Sequence, residues 1–172
     1  MRMRALPVLS ALALSAVACA SVDPAAPGPT APPPPATGAA PLPVEGYDWF
    51  FNIDEDAARL AYGLAESDDL KLGFDCRRGS GRLEAVAVAR KGARPEISIE
   101  SGGETARLPA TAEPSQLNDG LLLTAAASTA EPVFQRFRRL GWLAQWRDGE
   151  REAYAPQPGS AADIERFFAF CG

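Results

Sequence analysis

Residues 23–44 read DPAAPGPTAPPPPATGAAPLPV and hold nine of the 16 prolines in the chain. Proline lacks the backbone donor and fixes its own torsion, so this stretch can build neither a helix nor a sheet ladder. The expected form is an extended spacer with polyproline II character, rising about 3.1 Å per residue. Folding must therefore start near Glu45, and the 45–172 segment has room for one domain of conventional size. A ligand for a proline-recognising groove is the functional alternative for Pro32–Pro35, but no basic residue flanks them to set an orientation.

Ahead of the spacer, Arg2 and Arg4 precede an apolar run from Ala5 to Ala18, the layout of a secretory signal. The run is too short for a membrane span, which needs about 20 apolar residues. Ala16-Val17-Ala18-Cys19 resembles the lipobox of bacterial lipoproteins, with Ala16 where leucine is commonest. The resemblance implies that Cys19 is lipidated and becomes the mature N-terminus. In that family an aspartate after the cysteine favours inner-membrane retention; Ala20 stands there, so the resemblance implies the outer membrane, periplasmic face. Cleavage after Ala20 would instead leave a soluble periplasmic protein. The expected plan is a signal peptide over 1–18, a lipidated N-terminus and linker over 19–44, and a globular periplasmic domain over 45–172.

From Glu45 onward the chain carries 15 basic and 21 acidic residues, a net charge of −6. Phosphate contacts need clustered Lys and Arg, so nucleic acid is not an expected partner. The chain has no histidine, which excludes Ser-His-Asp and Cys-His catalysis, imidazole zinc sites and histidine switches.

Within the domain, hydrophobic period marks the elements. Tyr47–Ile53 is a β-like aromatic run. Residues 54–64 could begin as a helix capped by Asp54, but Leu60, Tyr62 and Leu64 alternate like a strand, and the partner Leu70, Leu72, Phe74, Cys76 is evident across the turn Glu66-Ser67-Asp68-Asp69. Gly79-Ser80-Gly81 leads to a third strand, Leu83–Ala89. Gly102-Gly103 predicts a two-residue hairpin that sets Ile99 opposite Ala106 and Ile97 opposite Leu108. Residues 109–114, bounded by Pro109 and Pro114, read as loop, and Gly120–Ser128 as a short strand. Pro132–Leu140 reads as a helix with Gly141 as C-terminal cap and Val133, Phe137 and Leu140 on one face. Asp148-Gly149 predicts a second hairpin with Trp146 opposite Arg151. A last helix is expected from Ala161, capped by Ser160, with Asp163 in its first turn. The fold expected is α+β: one mainly antiparallel β domain with two short helices, the C-terminal helix packed on the sheet.

Ile164, Phe167, Phe168 and Cys171 share a helical face, and Cys76 lies on the apolar face of its strand. In an oxidising compartment Cys76 and Cys171 are expected to pair, leaving Cys19 as the odd cysteine.

Charge is segregated. Asp48–Asp75 holds eight carboxylates and two basic residues, whereas Arg77–Arg94 holds six basic residues and one carboxylate. Opposite signs on adjacent strands suggest cross-strand pairing. Asp54, Glu55 and Asp56 lack the ligand spacing of a calcium loop, and nothing places Glu66, Asp68 or Asp69 across a sugar cleft. Trp142, Trp146, Arg151 and Tyr154 form the candidate binding surface, with a cation–π pair, although Trp142 and Trp146 on one strand face also suit a core. No catalytic, cofactor or metal site is expected. The expected function is a non-enzymatic cell-envelope lipoprotein, a binding or accessory module with an envelope protein partner. The alternatives are a lysozyme-type enzyme inhibitor, whose Ser-Gly-x-x-Tyr signature is not matched by Ser101-Gly102-Gly103-Glu104-Thr105, and a carboxylate-based envelope hydrolase.

Overall fold

The computed structural model describes residues 40–116, 119–147 and 149–172. The signal peptide, the Cys19 lipidation site and most of the linker lie outside the described residues. Nine strands follow in chain order: β1 (Tyr47–Asp54), β2 (Ala57–Leu64), β3 (Leu70–Arg77), β4 (Arg82–Ala89), β5 (Glu96–Ser101), β6 (Glu104–Pro114), β7 (Leu121–Ser128), β8 (Leu143–Arg147) and β9 (Glu150–Tyr154). Helix α1 (Pro132–Leu140) joins β7 to β8, and α2 (Ala161–Cys171) ends the chain.

The strands form one antiparallel sheet in the order β1-β2-β3-β4-β7-β6-β5-β8-β9. A mainly antiparallel β domain with two helices is thus present, but the sheet is not an open layer beside helices. It curls into a nearly closed barrel, and the α+β description fits only in part. At the seam the edges β1 and β9 meet through side chains rather than a ladder: Trp49 Nε1 donates to Tyr154 O at 3.2 Å and the two rings lie edge to face at 6.5 Å, while Tyr62 of the neighbouring β2 stacks on Tyr154 at 4.6 Å. The C-terminal ends of β4, β6 and β8 and the N-terminal ends of β5, β7 and β9 gather at one end, the mouth.

Local chemistry explains most elements. Gly102 and Gly103 adopt φ of 51° and 90°, as the two-residue hairpin demands, and Ile99 pairs with Ala106 and Ile97 with Leu108. Gly102 has a second reason to be glycine: a Cβ there would meet Leu140 Cδ1 at 2.3 Å. The β8–β9 hairpin sets Trp146 opposite Arg151, with Gly149 at φ 86° and residue 148 outside the described residues. Residues 109–114 are strand, not loop. Pro109 ends the ladder with β5, opposite Glu96, and from Ala110 the same strand pairs with β7. A proline without a donor is tolerated where a strand changes partners.

Both helices face the concave side of the sheet and supply its aromatic filling. α1 places Phe134 against Phe74 at 5.3 Å and Phe137 against Trp49 at 4.9 Å, and Phe168 of α2 meets Phe137 at 5.7 Å. Each such ring, fully buried, contributes about 2–3 kcal/mol relative to exposure. Gly141 caps α1 at φ 76°, its N–H reaching Phe137 O. Leu140, expected on the buried face with Val133 and Phe137, is exposed, because the last turn of α1 rests on the β5–β6 turn rather than on the core. Ser160 stands at the N-cap of α2, yet its side chain makes no bond to a helix N–H; its hydroxyl donates to Asp48 Oδ1 instead.

The C-terminus of α2 is tied down twice. Its last carbonyls accept from the turn after β3, Gly79 N to Phe170 O at 2.9 Å and Gly81 N to Cys171 O at 2.8 Å. Cys76 and Cys171 form a disulfide with Cα atoms 5.8 Å apart, closing a separation of 95 residues. By the chain-entropy relation such a loop stabilises by up to about 4–5 kcal/mol. Opposite charges pair across β2 and β3, where Arg59 Nε meets Asp75 Oδ1 at 2.7 Å, whereas the β3–β4 register sets Asp75 opposite Glu84.

Candidate functional site

At the mouth a broad cleft of about 1140 Å³ opens between the β4–β5 connection, the start of β7 and the β8–β9 hairpin. The connection brings Arg90, Lys91 and Arg94; the hairpin brings Trp146, Arg147, Glu150, Arg151 and Glu152; Asp119 and Glu96 complete a lining of mixed sign. Trp146, 36% exposed, is its aromatic surface.

Two ion pairs stiffen the hairpin. Arg151 Nε meets Glu100 Oε2 at 2.6 Å, and the Glu100 carboxylate, 4% exposed, also accepts from Gly103 N–H. The Arg151 guanidinium lies 5.6 Å from the ring centre of Trp142, a cation–π contact. Arg147 pairs with Glu152. Deeper in, the Tyr154 hydroxyl donates to Gln145 Oε1 at 2.9 Å, with Glu152 Oε2 at 3.3 Å. Burial first, and then the Glu152 charge, raise the Tyr154 phenol far above its ordinary range, so it remains a neutral donor.

Beside the cleft, at the seam, lies a smaller pocket of about 120 Å³ lined by Val44, Tyr47, Tyr62, Lys71, Glu152 and Ala153. The Tyr47 hydroxyl donates to Asp69, and Lys71 Nζ lies 2.9 Å from Asp69 Oδ1. The Tyr47 hydrogen bond, followed by that of Lys71, holds the Asp69 carboxyl below its usual range. Burial pulls the Lys71 ammonium down, but its bonds to Asp69 and Tyr47 outweigh this and leave its pKa raised. Burial, followed by the Glu152 charge, pushes Tyr62 up to about 12.

The four residues singled out in the sequence do not share one surface. Tyr154 is not a surface residue at all: it lies opposite Leu143 on the inner face of the hairpin and is fully buried. Trp142 is buried in a small cluster with Ala144 and Ala155, under Arg151. Trp146 and Arg151 remain, and both line the cleft. No family model, curated protein or solved structure matches the chain. The site therefore has to be understood from its own geometry. Ser101, in the segment compared with the inhibitor signature, is buried, and its hydroxyl donates to Trp142 O at 2.8 Å. Among the described residues no three His, Cys, Asp or Glu side chains gather at metal-binding spacing.

The residues missed on sequence are Gln145, Arg147 and Glu152 of the hairpin, Tyr47, Tyr62, Asp69 and Lys71 of the seam, and the basic 90–94 connection. One signal was available. The Asp148-Gly149 register sets Gln145 opposite Glu152 on the face of Leu143 and Tyr154, so two polar residues fall on an inward face. The meeting of Tyr62 and Lys71 with Glu152 had no such signal, because no turn relates β2 or β3 to β9.

Proposed function

We propose that this protein is a non-enzymatic binding or accessory module of the bacterial cell envelope, anchored to the periplasmic face of the outer membrane through a lipid on Cys19, and that its partner docks in the cleft at the barrel mouth. The observation that carries this reading is the cleft itself: about 1140 Å³, open, and lined by charges of both signs around the exposed Trp146. Mixed signs suit a polar, extended protein segment better than an apolar ligand or a polyanion. An exposed tryptophan beside arginines is the kind of residue that anchors such contacts. The Tyr154 phenol, kept neutral by burial, and the ion-paired hairpin side chains are fixed donors and acceptors, which supports a role in recognition.

The test is site-directed photocrosslinking of the full chain in cells, followed by mass spectrometry. A crosslinker in place of Trp146 is expected to capture a discrete envelope protein, whereas one at Glu55, in the β1–β2 turn away from the mouth, is not. Equal capture from both positions, or none from Trp146, would refute docking at the cleft. The same spectra report the N-terminus, and a mature chain that begins at Ser21 without a diacylglyceryl group would refute the anchor. Capture of lysozyme would favour the inhibitor alternative.

A further inference from the structure

We propose that the partner enters the cleft as an extended segment that adds a strand to the open edge of β9. The proposal rests on the reading of the cleft as the docking site, and it names the form in which the occupant binds. β9 is the last strand of the sheet and has β8 on one side only. Alternate residues of an antiparallel strand turn their N–H and C=O away from the neighbouring strand, so the free side of β9 is a row of donors and acceptors. Among the described residues, no backbone group of Glu150–Ala153 has a partner beyond β8. The row closes only at its far end, where Tyr154 O accepts from Trp49 Nε1.

The other edge strand does not cover this stretch. β1 starts at Tyr47, which shares the seam pocket with Glu152 and Ala153, whereas Glu150, Arg151 and Glu152 line the cleft. The open edge is thus a wall of the cleft, and a row of backbone donors and acceptors recognises another extended backbone. Charge decides whose backbone it is. Strands paired about a two-fold axis set residues of one face against each other. The two antiparallel registers that would pair Arg151 within a second copy of β9 place Arg151 against Arg151, or Glu152 against Glu152, and like charges opposite each other repel. A different protein carries no such penalty. Glu150 is exposed, and Arg147, across the hairpin from it, pairs with Glu152 instead. The segment that fits therefore places a lysine or arginine opposite Glu150.

The experiment places a photocrosslinker at Glu150 and, in a second variant of the full chain, at Glu152, and maps the captured residues by mass spectrometry. Strand addition is expected to give two sites in one segment of one protein, two residues apart, because facing positions on paired strands advance in step. Any other spacing, sites in separate segments, or capture from one variant alone would overturn the added strand. If neither position captures while the Trp146 position does, the strand is overturned and docking in the cleft stands; if none of the three captures, both fall. A synthetic peptide of the captured segment is then titrated into the full chain. N-methylation of one alternating set of its amides is expected to weaken binding ten-fold or more, and of the other set to leave it nearly unchanged. The two sets binding alike would overturn the proposal. Glu150→Lys should weaken the unmodified peptide about five-fold, and no loss would overturn the basic residue assigned opposite it.

Discussion

Glu100 and Arg151 show how far one pair of side chains can govern the hairpin that carries the cleft. The carboxylate is 4% exposed and its partner guanidinium 29% exposed, so one charge is buried and the other reaches the surface. Removing a partner from a buried pair leaves an uncompensated charge, whereas removing both leaves none. Arg151→Ala is therefore expected to destabilise the domain by about 3 kcal/mol, and the double change Glu100→Ala with Arg151→Ala by distinctly less. Urea midpoints of the four chains in a double-mutant cycle measure the difference. Arg151 was visible in the sequence through the Asp148-Gly149 register, which set it beside Trp146. Glu100 was not, because it lies on β5, on the far side of β8 from β9, and no hairpin links β5 to β8.

Among the strands, β1 has the most exacting problem. It is an edge, and an edge strand offers unpaired backbone groups to any other chain. Here the connection between β9 and α2 covers it. Asp48 Oδ1 accepts from Trp49 N–H at 2.8 Å, from Gln157 N–H at 2.9 Å and from the Ser160 hydroxyl. Gln157 Nε2 donates to Val44 O at 2.8 Å and to Tyr47 O at 3.1 Å. Hydrogen bonds to a charged group contribute about 1.5–3 kcal/mol each when their partners are desolvated, less where water competes. Asp48→Ala is expected to cost about 2–4 kcal/mol and to produce concentration-dependent association visible by size-exclusion chromatography. A monomeric Asp48→Ala chain of unchanged stability would show that this carboxylate does not guard the edge. The bonding of Ser160 explains why its reading as a plain helix cap failed: the sequence pattern of an N-cap marks where a helix starts, not which acceptor a nearby strand brings to its hydroxyl.

Seen as one object, the barrel is built around aromatic rings and neutral phenols, and this gives it a distinctive response to pH. Tyr62 is pushed up to about 12, and Tyr154 is raised further, both chiefly by burial. A raised folded-state pKa means that the folded chain keeps protons which the unfolded chain releases above the ordinary phenol value of 10. Stability is thus fully present below about pH 10 and falls as pH rises beyond it, with about 2 kcal/mol lost through Tyr62 by about pH 12. Asp69 acts in the opposite sense: its lowered pKa contributes stability above the usual carboxylate range that is lost as pH falls through it. Thermal midpoints measured from pH 7 to 12 should decline past pH 10, and more shallowly in Tyr62→Phe; a flat profile would contradict the burial of both phenols.

What could be read from the chain alone is local in origin. The strand periods, the registers at Gly102-Gly103 and Asp148-Gly149, the spans of both helices and the pairing of Cys76 with Cys171 depend on patterns within an element, or on which face of an element a residue occupies. Cys76 on the apolar face of β3 and Cys171 on the buried face of α2 are both in the core, where each has the other as its partner. The misreadings arose where distant segments meet. Pro109 belongs to a strand because β7 continues the ladder that β5 abandons, and Tyr154 is buried because the sheet curls until β9 reaches β1. The cleft and the seam pocket share that cause. They exist where a twisted sheet almost closes, and the degree of closure is set by the summed twist of nine strands and the bulk of the rings inside, which no short stretch of sequence encodes.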